Sequence, residues 1–522
     1  VGGLAGDALT TGARNTALGY QALSSEDTGG RNVAIGYQTL LNQNNDTYNY
    51  NVAIGYSAGK EITTGTSNVI VGALAGDAIT DGTVNTLIGY QAGTSLTSGS
   101  SNVAIGYLAL ATEDGHGRNI AIGQQALEDL NAGANGNNIA IGYDCGKQMT
   151  TGTLNTIVGN QAGDALTEGN TNVVMGYHAL GSETLGDRNV AIGTYALQNQ
   201  NNTSDTDAYN VAVGYGSGQS MTTGTLNVII GGLAGDGLTQ GTTNILLGYD
   251  AGGALTTGSD NVAIGTYALN AEDEHGRNVA VGHEALGTLN AGTHAYNIGI
   301  GYYAGREITT GIYNTIMGGL AGDALTTGAS NTVLGYGALS TEDTGSRAVA
   351  VGYKALVFQD YDGLSYNVAI GYEASKQITT GITNTIIGGL AGDALTTGNE
   401  NVSLGYLALS AEDAESYNTA IGTAALKVQD GGASNTAVGR EAGKSVTTGD
   451  NNTIVGANAG DALTTGSNNI IIGKNAAASA VGVNNEITLG DSNISAIRAQ
   501  VTSISSLSDK RDKKDIKDSV YG

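Results

Sequence analysis

Apolar and polar residues alternate in one short phrase that is repeated along most of the chain. In NVAIGYSAGKEITTG, which begins at Asn51, Val52 and Ile54 alternate with Ala53, a period-two pattern that predicts a strand with one face buried. The run is too short for a helix, and its β-branched residues favour extended backbone. Gly55 closes the strand, Ala58 and Ile62 supply a second inward patch, and Thr63-Thr64-Gly65 turns the chain back. The phrase therefore predicts one rung of a parallel β-solenoid: two short strands, two turns, and glycines at the corners.

The word Asn-x-x-x-Gly recurs from Asn15 to Asn469, as in Asn51/Gly55, Asn68/Gly72 and Asn85/Gly89. Two rungs replace the asparagine, with Ala348 and Glu486, but keep Gly352 and Gly490. The step is 17 residues almost everywhere, and 19 or 21 before Asn51, Asn138, Asn210, Asn297 and Asn367. Extra residues always fall just ahead of the next asparagine, as a solenoid tolerates when insertions bulge outward from a fixed core. A longer rhythm of Gly-Asp pairs, from Gly6-Asp7 to Gly460-Asp461, marks duplicated blocks of four or five rungs. About 28 rungs paired at about 4.8 Å would form a rod on the order of 130 Å long. The asparagine is expected to cap a turn and, stacked in a column, to bond along the axis.

Composition narrows the class. With 84 glycines but no proline in 522 residues, and no glycine-every-third pattern, a collagen helix is excluded. One phenylalanine and no tryptophan leave Ala, Val, Ile and Leu to make the core. Such a thin core favours several solenoids side by side. The net charge of -26 argues against a nucleic-acid partner. Cys145, alone, reads as a small core filler and not a nucleophile. No window reaches the ~20 apolar residues of a helical membrane span. There is no secretion signal, and because Val1 is no initiator the segment is expected to come from a longer chain.

Other chemistry is sparse. Tyrosine follows the rung glycine in many repeats (Tyr37, Tyr56, Tyr90), where packing against the next rung or a neighbouring chain is expected; an aromatic strip for sugars is the functional alternative. No grouping of His, Cys and carboxylates shows metal-ligand spacing, so no cofactor is expected. The acidic turns at Glu26-Asp27, Glu113-Asp114, Glu272-Asp273-Glu274, Glu342-Asp343 and Glu412-Asp413 read as plain solvated turns, with surface Ca²⁺ the lesser alternative. A sugar-cleaving spike would need an acid pair in a groove, and an ice-binding solenoid a flat Thr-x-Thr array. Neither pattern is present.

The words NVAIGY, NTALGY and ALTTG resemble the head repeats of trimeric autotransporter adhesins of the YadA type and, more closely, the repetitive shafts of bacteriophage tail fibres, over residues 1–490. That resemblance implies a left-handed parallel β-roll, a homotrimer around one axis, and a virion appendage, bound to other virion or tail proteins, that reaches a host-surface glycan or protein. An adhesin on a bacterial surface is the alternative. After Gly490 the word stops, and residues 491–507 read as a trimeric helix or a twisted strand stalk. SDKRDKKDI, Ser508 to Ile516, resembles the opening of the intramolecular chaperone domain that ends endosialidases and many phage fibres, although Asp512 stands where that family more often has an apolar residue. Residues 508–522 would then be the start of a self-cleaving domain, cut between Ser508 and Asp509. The Ser508 hydroxyl would attack the adjacent carbonyl, assisted by Asp509 and Lys513. No activity on an external substrate is expected.

Overall fold

The computed structural model describes residues 1–498. Twenty-eight strands of three residues, from Thr16–Leu18 to Ile487–Leu489, stack into one parallel sheet. Each strand pairs with that of the following rung in unbroken register: Val52 faces Val69, Ala53 faces Ile70 and Ile54 faces Val71. The register survives the insertions, with Val33 opposite Val52 and Val190 opposite Val211. The 21-residue step adds a small pairing of its own between Gly186–Asp187 and Thr206–Asp207. The expected all-β parallel solenoid of about 28 rungs is present.

One strand per rung forms, not the expected two. The second patch cannot be extended because Ser57 and Gly59 take φ of 52° and 58°, which folds the backbone into successive turns. Hydrogen bonding between rungs continues there all the same. Ser57 donates back to the Tyr37 carbonyl at 2.8 Å, while Gly59 and Thr63 donate forward to Ala75 at 3.0 Å and Thr80 at 2.8 Å. Every side of the coil is thus tied to its neighbours, and only one side is straight.

The corners also differ from expectation. Left-handed residues recur just before the asparagine and on either side of the inward alanine, and many are not glycine: Arg31, Ser57, Leu40 and Leu23 have φ of 67°, 52°, 52° and 55°. Each such corner costs about 1 kcal/mol or more, and bonds between rungs hold it in place. Glycine is obligatory at the strand end. Gly72 has φ of 141°, and a Cβ there would lie 2.6 Å from the Gly89 carbonyl carbon and closer still to its oxygen.

Three inward positions make the core. In the Asn51 rung they are Ala53, Ala58 and Ile62, all fully buried. Two neighbouring positions vary together in many rungs. Where the residue after the inward alanine is Gly59, the third position is Ile62, whose Cδ1 lies 3.0 Å from where a Gly59 Cβ would stand. Where it is Leu23, the third position is the polar Glu26. Both are buried, whereas the rungs of Leu127 with Leu130 and Leu286 with Leu289 carry buried leucine at both positions.

Cys145 occupies one of the inward alanine positions, buried, with its Sγ 3.3 Å from the Ile157 carbonyl. Desolvation pushes its thiol up to about 12. The native protein should therefore be inert to Ellman's reagent at pH 8 over hours and release one thiol equivalent only on denaturation. Rapid labelling of the native chain would contradict this placement.

Candidate interaction surface

The asparagines form the expected column. Asn68 is fully buried, and its backbone N–H donates to Asn51 Oδ1 at 2.9 Å. Its Nδ2 donates to the Gly82 carbonyl at 2.9 Å, and its Oδ1 accepts from the Asn85 N–H at 2.9 Å. One side chain thus closes its own rung and reaches both neighbours. Asn51 and Asn85 do the same through Gly65 at 2.7 Å and Gly99 at 2.9 Å. Gly55, Gly72 and Gly89 end the strands in near-identical geometry, with φ of 141°, 141° and 140°. These repeat residues are structural, and none meets solvent in a way that suggests a ligand.

The outward sheet face is different. In all but the two terminal strands the middle residue is buried, so the first and third point out. The third is Leu, Ile, Val or Met in all 28 strands, and no charged residue stands at either outward position of any of them. Ile54, Val69, Ile88, Met175, Leu247 and Leu334 are each more than a third exposed. An apolar column running the length of a stack is far larger than the isolated exposed side chains of ordinary surfaces.

Aromatic residues border this column. Tyr20, Tyr37 and Tyr56 stack with ring centroids 5.5 and 5.2 Å apart, and Tyr336, Tyr353 and Tyr372 at 5.8 and 5.3 Å. The expected packing against the next rung is present, with each ring still about half exposed. At the opposite border an arginine anchors four of the five insertions. Arg277 Nη1 donates to Tyr296 Oη at 2.6 Å, and Arg31, Arg188 and Arg347 engage Tyr50, Tyr209 and Tyr366 in the same way. Sequence periodicity pointed to the tyrosines but missed this clamp, because arginine and tyrosine are separated by the variable loop.

The acidic turns are not plain solvated turns. Glu26, Glu113, Glu183, Glu272, Glu342 and Glu412 are fully buried at the third inward position. Most serve as acceptors for the turn beside them: Glu342 takes Gly345 N–H at 2.7 Å, Gln359 Nε2 at 3.0 Å and Tyr361 N–H at 3.2 Å. The sequence misled because an Asp follows most of these glutamates, and only that second residue faces outward. Burial outweighs these bonds and raises the pKa of Glu26, Glu342 and Glu412 above the ordinary carboxylate value.

The sign of the pH dependence follows. A carboxyl with a raised folded pKa binds more protons folded than unfolded, so stability is greatest in acid and falls as pH rises from about 4.5 through the raised value. Asp164, Asp236, Asp323 and Asp393 are shifted the same way, mainly by burial. The melting midpoint should be higher at pH 5 than at pH 8. Glu412→Leu with Gln429→Leu should reduce that slope at a cost of about 1–3 kcal/mol at neutral pH, because the Glu415 N–H loses its acceptor at 2.8 Å. A midpoint rising with pH would contradict the burial of these groups.

Ser508, Asp509 and Lys513, with 499–507 of the expected stalk, lie outside the described residues. Residues 491–498 leave the sheet through a turn in which Asn493 N–H donates to Asp491 Oδ1 at 2.9 Å, and Ile494 and Ile497 remain exposed. Among the described residues no helix is long and apolar enough to cross a membrane. No protein-family model matches the chain and no curated protein matches it, which leaves its own surface as the guide to function.

Proposed function

We propose that the chain is the shaft of a bacteriophage tail fibre or similar virion appendage, built from three left-handed solenoids packed around a common axis. The continuous apolar column on the outer sheet face carries this reading. A single rod leaves it in water for its full length, and closed association of three copies would cover it without leaving an open, filament-forming face. Stacked rungs with charge kept off the column suit a stiff spacer that holds a tip away from a particle. Contact with the host glycan or protein belongs at the ends of the rod or on the clamped insertions. Ser508–Asp509 self-cleavage, assisted by Lys513, would release a chaperone after the trimer has formed.

Antibodies raised against the rungs should decorate appendages of virions that carry this gene. Decoration of a bacterial cell surface, with bare virions, would replace the shaft reading by that of an adhesin. The assembly has its own test. Ile54→Lys with Ile88→Lys puts two charges into the column while leaving every inward side chain intact, and should yield soluble single chains of unchanged far-UV circular dichroism. Unchanged assembly in that variant would place the interface elsewhere.

A further inference from the structure

Two of the six buried glutamates are built differently from the rest. Glu183, Glu342 and Glu412 are each followed one rung later by a glutamine whose Nε2 donates to the carboxylate, at 2.9, 3.0 and 3.1 Å. For Glu26 the donor is Asn49 Nδ2, at 2.9 Å. One rung after Glu113 and Glu272 stand Leu130 and Leu289, buried and unable to donate. These are also the two turns that carry a histidine three residues after the glutamate, His116 and His275. An amide donor has been exchanged for an imidazole.

The imidazole does not replace the missing hydrogen bond. His275 Nδ1 lies 3.7 Å from Glu272 Oε1, and His116 Nδ1 lies 3.4 Å from Glu113 Oε1, both beyond ordinary hydrogen-bond length. Both Nδ1 atoms are buried without a partner, and so is Glu272 Oε2, on a side chain with no exposed surface. An unpaired carboxylate oxygen in that position is costly. Those separations instead suit two ligands on one ion, since bonds of 2.0–2.1 Å at tetrahedral angles set ligand atoms about 3.3 Å apart. Asp273 and Asp114 bring a second carboxylate, with all three ligand atoms of each group within 4.8 Å of one another. His294, one rung on, is already occupied, its Nδ1 accepting from the Gly276 N–H at 3.3 Å.

We propose that Glu272, Asp273 and His275 form a binding site for a divalent transition-metal cation of the Zn²⁺ type, repeated at Glu113, Asp114 and His116. The imidazole nitrogen selects such an ion over Ca²⁺, which prefers six to eight oxygens. His275 and His116 keep a quarter to a third of their side chains exposed, so an ion can enter from solvent. Pattern reading found no metal-ligand grouping in these turns because the buried glutamate, which makes each turn a cage, looked solvated.

The test uses the full chain loaded with Zn²⁺ and dialysed, with retained metal measured by mass spectrometry and Co²⁺ as an absorbing substitute. The wild-type chain should hold two equivalents, His275→Asn one, and His275→Asn with His116→Asn none, with the Co²⁺ visible band falling in step. Because both histidines are partly exposed, these variants should keep the wild-type circular dichroism; Asp273→Asn gives a second variant at the outer rim, expected to weaken Zn²⁺ retention at least tenfold. If His275→Asn retains as much metal as the wild type, or if neither binds Co²⁺ with an imidazole-type spectrum, the site is an ion pair only and the proposal fails.

Discussion

Gly72→Ala opens the stack at one rung. The substitution forces an L-residue to φ of 141°, a conformation essentially reserved for glycine, and drives a methyl group to 2.6 Å from the Gly89 carbonyl carbon. The strain alone is about 1–3 kcal/mol. The clash adds to it and cannot be relieved by a rotamer change, because the obstructing atoms are backbone. Yet the whole rod need not melt. Each rung touches only its neighbours, so stability is close to a sum of rung and interface contributions, and a defect confined to one rung moves the melting midpoint of the whole array only slightly. The effect should appear as lost amide protection in the rungs of Asn51, Asn68 and Asn85, with distant rungs such as that of Asn384 unchanged. Full protection across Gly72→Ala would show that the strand end tolerates a side chain.

Asn68→Ala should come close to this in size for a different reason. It removes no bulk that the core requires, but it leaves the Gly82 carbonyl and the Asn85 N–H without the partners they have at 2.9 Å each. Two buried polar groups left unsatisfied cost about 1–3 kcal/mol apiece. Asn68→Asp separates the two halves of the role. It keeps the acceptor for Asn85 but turns the donor toward Gly82 into a charged acceptor, so it should be at least as damaging as alanine near pH 7 and milder in acid, where the carboxyl can donate. The chain supplies an internal precedent. Ala348 stands in the column, still donating its N–H to Asn331 Oδ1 at 2.8 Å, but it offers no side-chain acceptor to the Asn367 N–H. That rung also carries Gln359, which accepts from Asn367 Nδ2 at 2.9 Å and supports the next asparagine from another side. Introducing glutamine at Ile79, the matching inward position of the Asn68 rung, should not rescue Asn68→Ala, because its neighbours there are aliphatic.

Much of the fold was legible because a 17-residue phrase repeats one physical solution. Asn51, Gly55, Ala58 and Ile62 each do what their chemistry suggests: cap, corner and core. What escaped the pattern depended on backbone conformation and on contacts between rungs. Leucine at 23 and 40 gives no hint of left-handed φ, so the second strand was expected where turns occur. Glu342 and Asp343 look alike in a sequence, and only the coil's geometry sends one inward and the other out. The apolar column was foreshadowed by Val52 and Ile54, but their orientation was settled only when Ala53 proved to be the buried residue. The paired exchange of Gln for Leu and of turn residue for His lies a full rung apart, beyond the reach of local motif reading.

These points converge on the outer face, where 28 aliphatic residues in line await a cover. Native mass of the full chain at micromolar concentration, by analytical ultracentrifugation or light scattering, tests this most directly. The account predicts a particle of three times the 52.3 kDa chain mass and a frictional ratio typical of a rod. A stable 52.3 kDa monomer with the same circular dichroism would contradict it.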